Sequence, residues 1–223
     1  MVGTHAENNL VREHLQALHI GSEVTRWFRK ERQPQVLNVS PENVIDVLHQ
    51  AGINPVLMGT HGINGYRDEA RASQDVDVLV TKREVRKAVR ALEQAFPALK
   101  VHENSAVARF VDPVSQTVVL DVMKPSSQAM QLVFRNTVAV GDRYRIPSLE
   151  MALVSKYVAI RSPDRIPRKR HLDRADFTSM VEENRAVLDL DKLQKLAARV
   201  QPGGGKHILS LIADIDAGRE IHG

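Results

Sequence analysis

The chain has 223 residues, of which 43% are hydrophobic and 26% charged, and its formal net charge at pH 7 is +4. This length and balance indicate a globular fold with one core, or a core and a small helical addition, and exclude a disordered or fibrous chain. The absence of cysteine excludes disulfides, thiolate metal ligands and a cysteine nucleophile.

The N-terminal stretch carries no apolar signal segment, and no run approaches the roughly 20 apolar residues of a membrane span. We therefore expect a cytoplasmic protein with no membrane partner.

Residues 1–40 are predicted as a helical extension whose helix ends near Arg32. Ser40 followed by proline predicts the start of a further helix, because serine caps helices and proline suits their first position. The apolar residues 56–58, followed by Gly59, predict a buried strand and a glycine turn into a helix.

Two aspartates alternate with valines in the next strand pattern. Val76 and Val78 share one face of residues 75–80, and Asp75 and Asp77 share the other. Their Cα atoms would lie roughly 6 to 7 Å apart, close enough for both carboxylates to bind one cation. Buried carboxylates without partners are costly, so a cation, an arginine or open water has to meet them. A solvent-exposed edge strand would also satisfy this pattern.

The remaining patterns alternate between helix and strand and then become helical. Residues 83–96 have the spacing of an amphipathic helix. Strands are predicted for the β-rich runs at residues 99–102, 107–111, 117–123, 132–140 and 144–146. We predict an α/β fold with a mixed sheet, a core domain at residues 41–147 and a helical region at 148–223.

Asp121 lies inside the apolar run 118–123, where strand propensity disfavours aspartate. If this strand neighbours the strand of Asp75 and Asp77, three carboxylates converge on one site. Hard oxygen ligands of this kind suit Mg²⁺ or Mn²⁺ bound together with substrate phosphates. The same ligand set is typical of two-metal phosphoryl chemistry.

Two basic features lie in the helical region. Lys156 follows Leu149 by seven residues on an apolar helix stripe, so its ammonium either reaches outward to solvent or meets a buried anion. The segment from Arg161 to Arg174 holds six lysines and arginines against Asp164 and Asp173. Such a segment suits the phosphates of a nucleotide or RNA, and it equally suits a solvated helix face.

Three short strings together resemble a known family. They are Met-Gly-Thr-His-Gly at 58–62, Arg-Ala-Ser-Gln-Asp-Val-Asp at 71–77 and Leu-Asp-Val at 120–122. The chain resembles the nucleotidyltransferase superfamily, and within it the AbiEii-like or minimal nucleotidyltransferase group, over residues 56–123 and more loosely to about residue 181. The resemblance implies a nucleotidyltransferase-like mixed β-sheet flanked by helices, with a C-terminal helical part.

The resemblance also implies an activity and a set of site residues. A Mg²⁺- or Mn²⁺-dependent enzyme would transfer a nucleoside monophosphate from a nucleoside triphosphate such as ATP to a hydroxyl of RNA, tRNA included, or of a protein, releasing pyrophosphate. A cognate antitoxin-like partner protein is a further implication. The implied catalytic and metal-binding residues are Asp75, Asp77 and Asp121. The implied nucleotide-binding residues are Gly59, Thr60, His61, Arg71, Ser73 and Lys156.

The sequence departs from the family pattern at Thr60, where the family has glycine or serine. The threonine hydroxyl can still bind phosphate, but its β-branch crowds the approach of a triphosphate to the backbone. The alternative hypothesis is therefore a catalytically inactive module that binds a nucleotide or a partner protein. A metal-dependent phosphohydrolase, which would need only water as acceptor, is a third interpretation.

Overall fold

The protein divides into two compact units, Met1–Ile146 and Pro147–Gly223. The computed structural model describes residues 5–221, with the side chains of 9–30 and 33–221. Residues 1–4 and 222–223, at the outer ends of the first and last predicted domains, lie outside this description. Within the described range, no helix combines the length and apolar character that crossing a membrane requires.

A seven-stranded mixed sheet forms the centre of the first unit. Its strands are β1 Val56–Met58, β2 Val76–Leu79, β3 Lys100–Glu103, β4 Val107–Val111, β5 Val118–Met123, β6 Thr137–Val140 and β7 Tyr144–Pro147. They are arranged in the order β3-β4-β5-β2-β1-β7-β6. In the middle of the sheet, β2 pairs parallel with β5 and antiparallel with β1. The predicted α/β class with a mixed sheet is confirmed.

Five α-helices of the described chain belong to the first unit. They are α1 His5–Arg32, α2 Pro41–Gln50, α3 Gly59–Ile63, α4 Val85–Ala95 and α5 Gln128–Arg135. The Ser40 side chain caps α2 by accepting a hydrogen bond of 3.3 Å from the Asn43 amide, as the sequence predicts. The apolar stripe of α4 is buried as its spacing predicts, through Ala88, Val89 and Leu92 among others.

The strand predicted at residues 132–140 is wrong in its first half. Residues up to Arg135 belong to α5, and only Thr137–Val140 form a strand. The Ser127 hydroxyl caps α5 by accepting a hydrogen bond of 3.2 Å from the Met130 amide. Leu132, a residue of this helix, is buried. A short apolar run does not distinguish a helix from a strand by periodicity, and here the cap decides for the helix.

The second unit is helical. Its helices within the described chain are α6 Leu149–Arg161, α7 Pro167–Asn184, α8 Leu190–Val200 and α9 Gly204–Asp216. The Asp189 side chain caps α8 at 2.9 Å from the Lys192 amide. Tyr157, Phe177, Leu193 and Ile208 are fully buried and supply the centre of this unit's core. The C-terminal helical part that the sequence predicts is confirmed.

Candidate active site

Asp77 on β2 and Asp121 on β5 are direct neighbours in the sheet. The two residues are register partners in the parallel β2–β5 pair. Partners at one register position project from the same face of a sheet, on strands about 4.8 Å apart. Val76 and Val78 are completely buried, so the apolar and acidic positions of β2 separate as their alternation predicts. Two of the three predicted ligands therefore project side by side from one face.

Asp75 precedes β2 and lies in a bend, because the strand begins only at Val76. Its Oδ1 accepts a hydrogen bond of 2.7 Å from the Ser73 hydroxyl. Ser73 therefore orients a carboxylate of the candidate site, although the sequence assigned it to nucleotide binding.

Arg109 on β4 brings a guanidinium group to the three carboxylates. It is the register partner of Asp121 and donates to both of its oxygens, from Nε to Oδ1 at 3.0 Å and from Nη2 to Oδ2 at 2.9 Å. The hydrogen bond to Asp121 raises the pKa of Arg109. Burial opposes this effect, and the charges of Asp121, Asp77 and Asp75 make smaller contributions that raise the pKa. All three acidic side chains thus act on one arginine.

Arg109 is absent from the predicted site, although its strand carries a signal for it. Ala108 and Phe110, on either side, are completely buried. Arg109 is therefore a single charged residue inside the apolar run 107–111, as Asp121 is inside the run 118–123.

Gly59 begins α3 directly after β1, and both its conformation and its neighbour require glycine. Its φ of +58° lies in the left-handed region. A Cβ atom at this position would overlap the Asp77 carboxylate. The glycine turn therefore packs against a predicted metal ligand.

Thr60 follows in α3 and is nearly buried. Its hydroxyl oxygen accepts a hydrogen bond of 2.9 Å from Arg71 Nη2. The Asn64 side chain in turn binds both backbone groups of Arg71, donating to its carbonyl at 3.0 Å and accepting from its amide at 3.2 Å. These contacts join the glycine turn to the segment that leads into Asp75.

His61 is buried beside α1. A methyl group at Gly21 of α1 would lie 3.0 Å from its Nδ1 atom. Neither ring nitrogen has a hydrogen-bond partner among the described residues. Burial lowers the pKa of His61 to about 4, with Asp75 opposing the effect and Arg29 and Arg71 adding to it. Contact of His61 with a nucleotide stays a prediction.

Arg29 of α1 is completely buried, although the sequence assigned this helix no chemistry. Its guanidinium donates to the carbonyl oxygens of Gln74 at 2.6 Å and Val119 at 3.4 Å, and also to that of Val39. Burial lowers the pKa of Arg29 to about 10, with the charges of Asp75 and Asp112 opposing the effect. The sequence could not predict this role, because no periodic pattern indicates that an arginine will be buried against carbonyl groups far away in the chain.

Lys156, in the second unit, meets buried anions. Its ammonium lies 2.9 Å from Asp173 Oδ1 and 2.7 Å from Asp176 Oδ2. Arg165 Nε donates to the other oxygen of Asp173 at 2.7 Å. The sequence left open whether the Lys156 ammonium reaches solvent or a buried anion, and in the structure it binds buried anions. Its contact with a triphosphate stays a prediction.

The three carboxylates fit a divalent cation in chemical type. They supply only hard oxygen donors, the preference of Mg²⁺ and Mn²⁺. Within the described part of the chain, however, no three acidic or histidine side chains already form a cluster of metal-site dimensions. Arg109 provides the positive charge at Asp121. Binding of a cation by Asp75, Asp77 and Asp121 stays a prediction.

The fold is similar to solved structures of nucleotidyltransferase type. One is an antigenic nucleotidyltransferase-like protein from Paracoccidioides brasiliensis, with 17% identity, 84% of this chain and 94% of that chain covered, and a TM-score of 0.46. A second is ANT(2")-Ia in complex with adenylyl-2"-tobramycin, with 13% identity, coverage of 76% and 94%, and a TM-score of 0.47.

A third is the Megavirus polyadenylate synthase, with 10% identity, coverage of 82% of this chain and 38% of that chain, and a TM-score of 0.49. No protein-family model and no curated protein sequence matches the chain. At these levels of similarity, a functional assignment depends on the geometry of the site.

Proposed function

We propose that the protein is a metal-dependent nucleotidyltransferase that moves a nucleoside monophosphate from a nucleoside triphosphate to an acceptor hydroxyl. The observation that carries the proposal is the pairing of Asp77 with Asp121 on neighbouring parallel strands, beside the turn at Gly59. Acidic residues in the middle of a sheet need a cationic partner, which Arg109 supplies to Asp121 and which a divalent cation would supply to all three carboxylates.

The chain's own groups have distinct roles in this proposal. Asp75, Asp77 and Asp121 hold the divalent cation, which when bound neutralises phosphate charge at the reacting centre. Ser73 fixes the orientation of Asp75 through its hydrogen bond. Asp121 is the group proposed to accept the proton of the acceptor hydroxyl, since a carboxylate within hydrogen-bond reach can serve as a general base.

The glycine turn is the proposed contact for the outer phosphates. Gly59 has no side chain, which allows the Asp77 carboxylate to pack against the turn. Thr60 and Arg71 are joined by a hydrogen bond of 2.9 Å, so a phosphate that approaches the threonine hydroxyl also approaches a guanidinium. Arginine binds phosphate well because its planar donors match the phosphate oxygens.

The acceptor is proposed to be an RNA end or a protein hydroxyl. Exposed cations at the start of α7, among them Arg168 and Lys169, suit a phosphate backbone. Mg²⁺ or Mn²⁺ is the proposed cofactor. ATP is the first nucleotide to test.

The decisive experiment supplies each α-labelled nucleoside triphosphate with Mg²⁺ or Mn²⁺, together with total RNA or cell lysate, and follows both the label and pyrophosphate. We expect one class of acceptor to become labelled, with one pyrophosphate released for each nucleoside monophosphate transferred. The matched control is Asp77→Asn, which keeps the size of the side chain and removes its charge. Equal labelling by this variant, or no labelling by the natural chain over the whole panel, would contradict the proposal.

A second candidate is a nucleotide-binding module without turnover. The salt bridge between Arg109 and Asp121 favours it, because both carboxylate oxygens are already bonded. Calorimetric titration with each triphosphate and Mg²⁺ separates the two functions. Binding with no pyrophosphate over the acceptor panel supports the module.

A further inference from the structure

The contact between Arg109 and Asp121 has the geometry of a strong ion pair. Its two hydrogen bonds, of 3.0 and 2.9 Å, use both oxygens of the carboxylate. Such bidentate pairs are stronger and more directional than single contacts. A cation that binds Asp121 has to share or replace at least one of these bonds.

The two partners differ in their freedom to move. The side chain of Asp121 is 12% exposed, whereas that of Arg109 is 46% exposed. Asp121 is also held in a strand that is paired on both sides, to β2 and β4. The long, half-exposed arginine side chain can therefore leave the carboxylate for water without a change in the backbone.

Removal of the guanidinium would leave the carboxylates without this positive charge. The charges of Asp75 and Asp77 both act on Arg109, in addition to that of its partner Asp121. Like charges that share a site repel each other, and a cation of either kind relieves the repulsion. A guanidinium and a divalent metal ion thus compete for the same negative field.

We infer that Arg109 is a built-in competitor of the divalent cation: it offsets part of the negative charge of the carboxylates in the metal-free protein and gives up at least one of its two bonds to Asp121 when the metal binds. This inference rests on the proposed function, because it assumes that the three carboxylates form the metal site. Arg109 therefore weakens metal binding and stabilises the metal-free fold. Replacing Arg109 should therefore strengthen metal binding. Replacing a residue that only supports the structure of the site would weaken it.

The test is a titration of the full chain with Mn²⁺, followed by electron paramagnetic resonance of the free ion, without nucleotide. We expect Arg109→Gln to bind Mn²⁺ about tenfold more tightly than the natural chain, a size usual for coupling between two binding events. Arg90→Gln is the matched control, because it removes the same charge from an exposed position on α4. Its Mn²⁺ affinity should stay near that of the natural chain.

Thermal unfolding gives a second measurement that needs no activity. Metal-free Arg109→Gln should melt at a lower temperature than the natural chain, and saturating Mn²⁺ should raise its melting temperature by a larger amount. Arg109→Lys, which keeps the charge but not the bidentate contact, should lie between the two in both measurements.

The outcomes separate this inference from the proposed function. If the natural chain binds Mn²⁺ through Asp77, and Arg109→Gln binds it equally or more weakly, the competition is refuted while the metal site stands. If neither chain binds Mn²⁺, both proposals fail. If Arg90→Gln tightens binding as much as Arg109→Gln does, the effect is one of net charge, and the competition is refuted.

Discussion

Arg29 Nη2 donates a hydrogen bond of 2.6 Å to the carbonyl oxygen of Gln74, the residue directly before Asp75. The same guanidinium reaches the carbonyl oxygen of Val119, two residues before Asp121. One buried side chain of the N-terminal helix thus binds the backbone of both segments that carry the candidate carboxylates. The helix is part of the site's support, although it supplies no predicted ligand.

Replacing Arg29 by methionine should lower the free energy of unfolding by about 3 to 5 kcal/mol, because buried carbonyl groups lose their donor. Lysine cannot donate to several carbonyl groups at once, so Arg29→Lys should hold the two segments that carry the carboxylates less firmly. We expect this variant to bind Mn²⁺ more weakly even where the chain stays folded. Urea unfolding and Mn²⁺ titration measure the two effects. Lys30→Met is the control on the exposed side of the same helix. Unchanged stability of Arg29→Met would show that the buried contacts are dispensable.

Gly59→Ala should affect both stability and metal binding. The positive φ alone costs an alanine about 1 kcal/mol, and the overlap with the Asp77 carboxylate displaces that side chain in addition. Gly141→Ala is a matched control, since its φ is +62° but a Cβ there meets no atom within 4 Å. We expect equal backbone strain in both variants and weaker Mn²⁺ binding only in Gly59→Ala. A parallel loss of affinity in Gly141→Ala would contradict the role of Gly59.

Acidification should destabilise the fold through two buried histidines. Burial lowers the pKa of His14 to about 3 and, with Asp75 opposing, that of His61 to about 4, both from 6.5. The unfolded chain therefore binds more protons than the folded one below pH 6.5, so stability is lost as the pH falls from 6.5 towards 4. Each histidine contributes up to about 1.4 kcal/mol per pH unit in this range.

The variant that checks this effect is His14→Phe, which keeps a ring beside Tyr66, whose centroid lies 4.6 Å away. Its free energy of unfolding should depend less on pH between 6.5 and 4 than that of the natural chain. His49→Gln, at an exposed position, should leave the slope unchanged. Equal slopes for His14→Phe and the natural chain would mean that His14 does not titrate in this way.

Lys156→Met should destabilise the second unit strongly. The change leaves Asp173 and Asp176, both almost completely buried, without the ammonium that lies between them. Breaking a buried ion pair in this way costs about 3 to 5 kcal/mol. The triple variant that adds Asp173→Asn and Asp176→Asn should recover part of the loss, because the two carboxylate charges that lost the ammonium are removed with it. Denaturant unfolding of the full chain measures both variants.

The sequence predicts those parts of the fold that local chemistry decides. Ser40 marks the start of α2, and the stripe through Ala88 and Leu92 marks the buried face of α4. The strand prediction at residues 132–140 is wrong in its first half because the cap at Ser127 and the burial of Leu132 favour a helix over the β propensity of the run. Where the cap and the periodicity agree, helix boundaries follow to within a residue or two.

The candidate site could be predicted only as a set of residue types. Alternation places Asp75 and Asp77 on one face, but the register of Asp77 against Asp121 depends on strand pairing over 44 positions of sequence. The contacts of Arg109 with Asp121 and of Arg29 with the carbonyl of Gln74 depend on tertiary structure in the same way. Their partners lie on other elements, and no local pattern encodes which strand becomes a neighbour.

The position of β2 and β5 inside the sheet has a consequence for cation choice. Each strand is hydrogen-bonded on both sides, β2 to β1 and β5, and β5 to β2 and β4. The backbone beneath the two aspartates can therefore move apart only by breaking ladders. At the proposed metal site, discrimination between a small ion and a larger one such as Ca²⁺ would therefore depend on the side-chain torsions of Asp77 and Asp121. The amide hydrogens of Val78 and Val122 should exchange among the slowest in the chain.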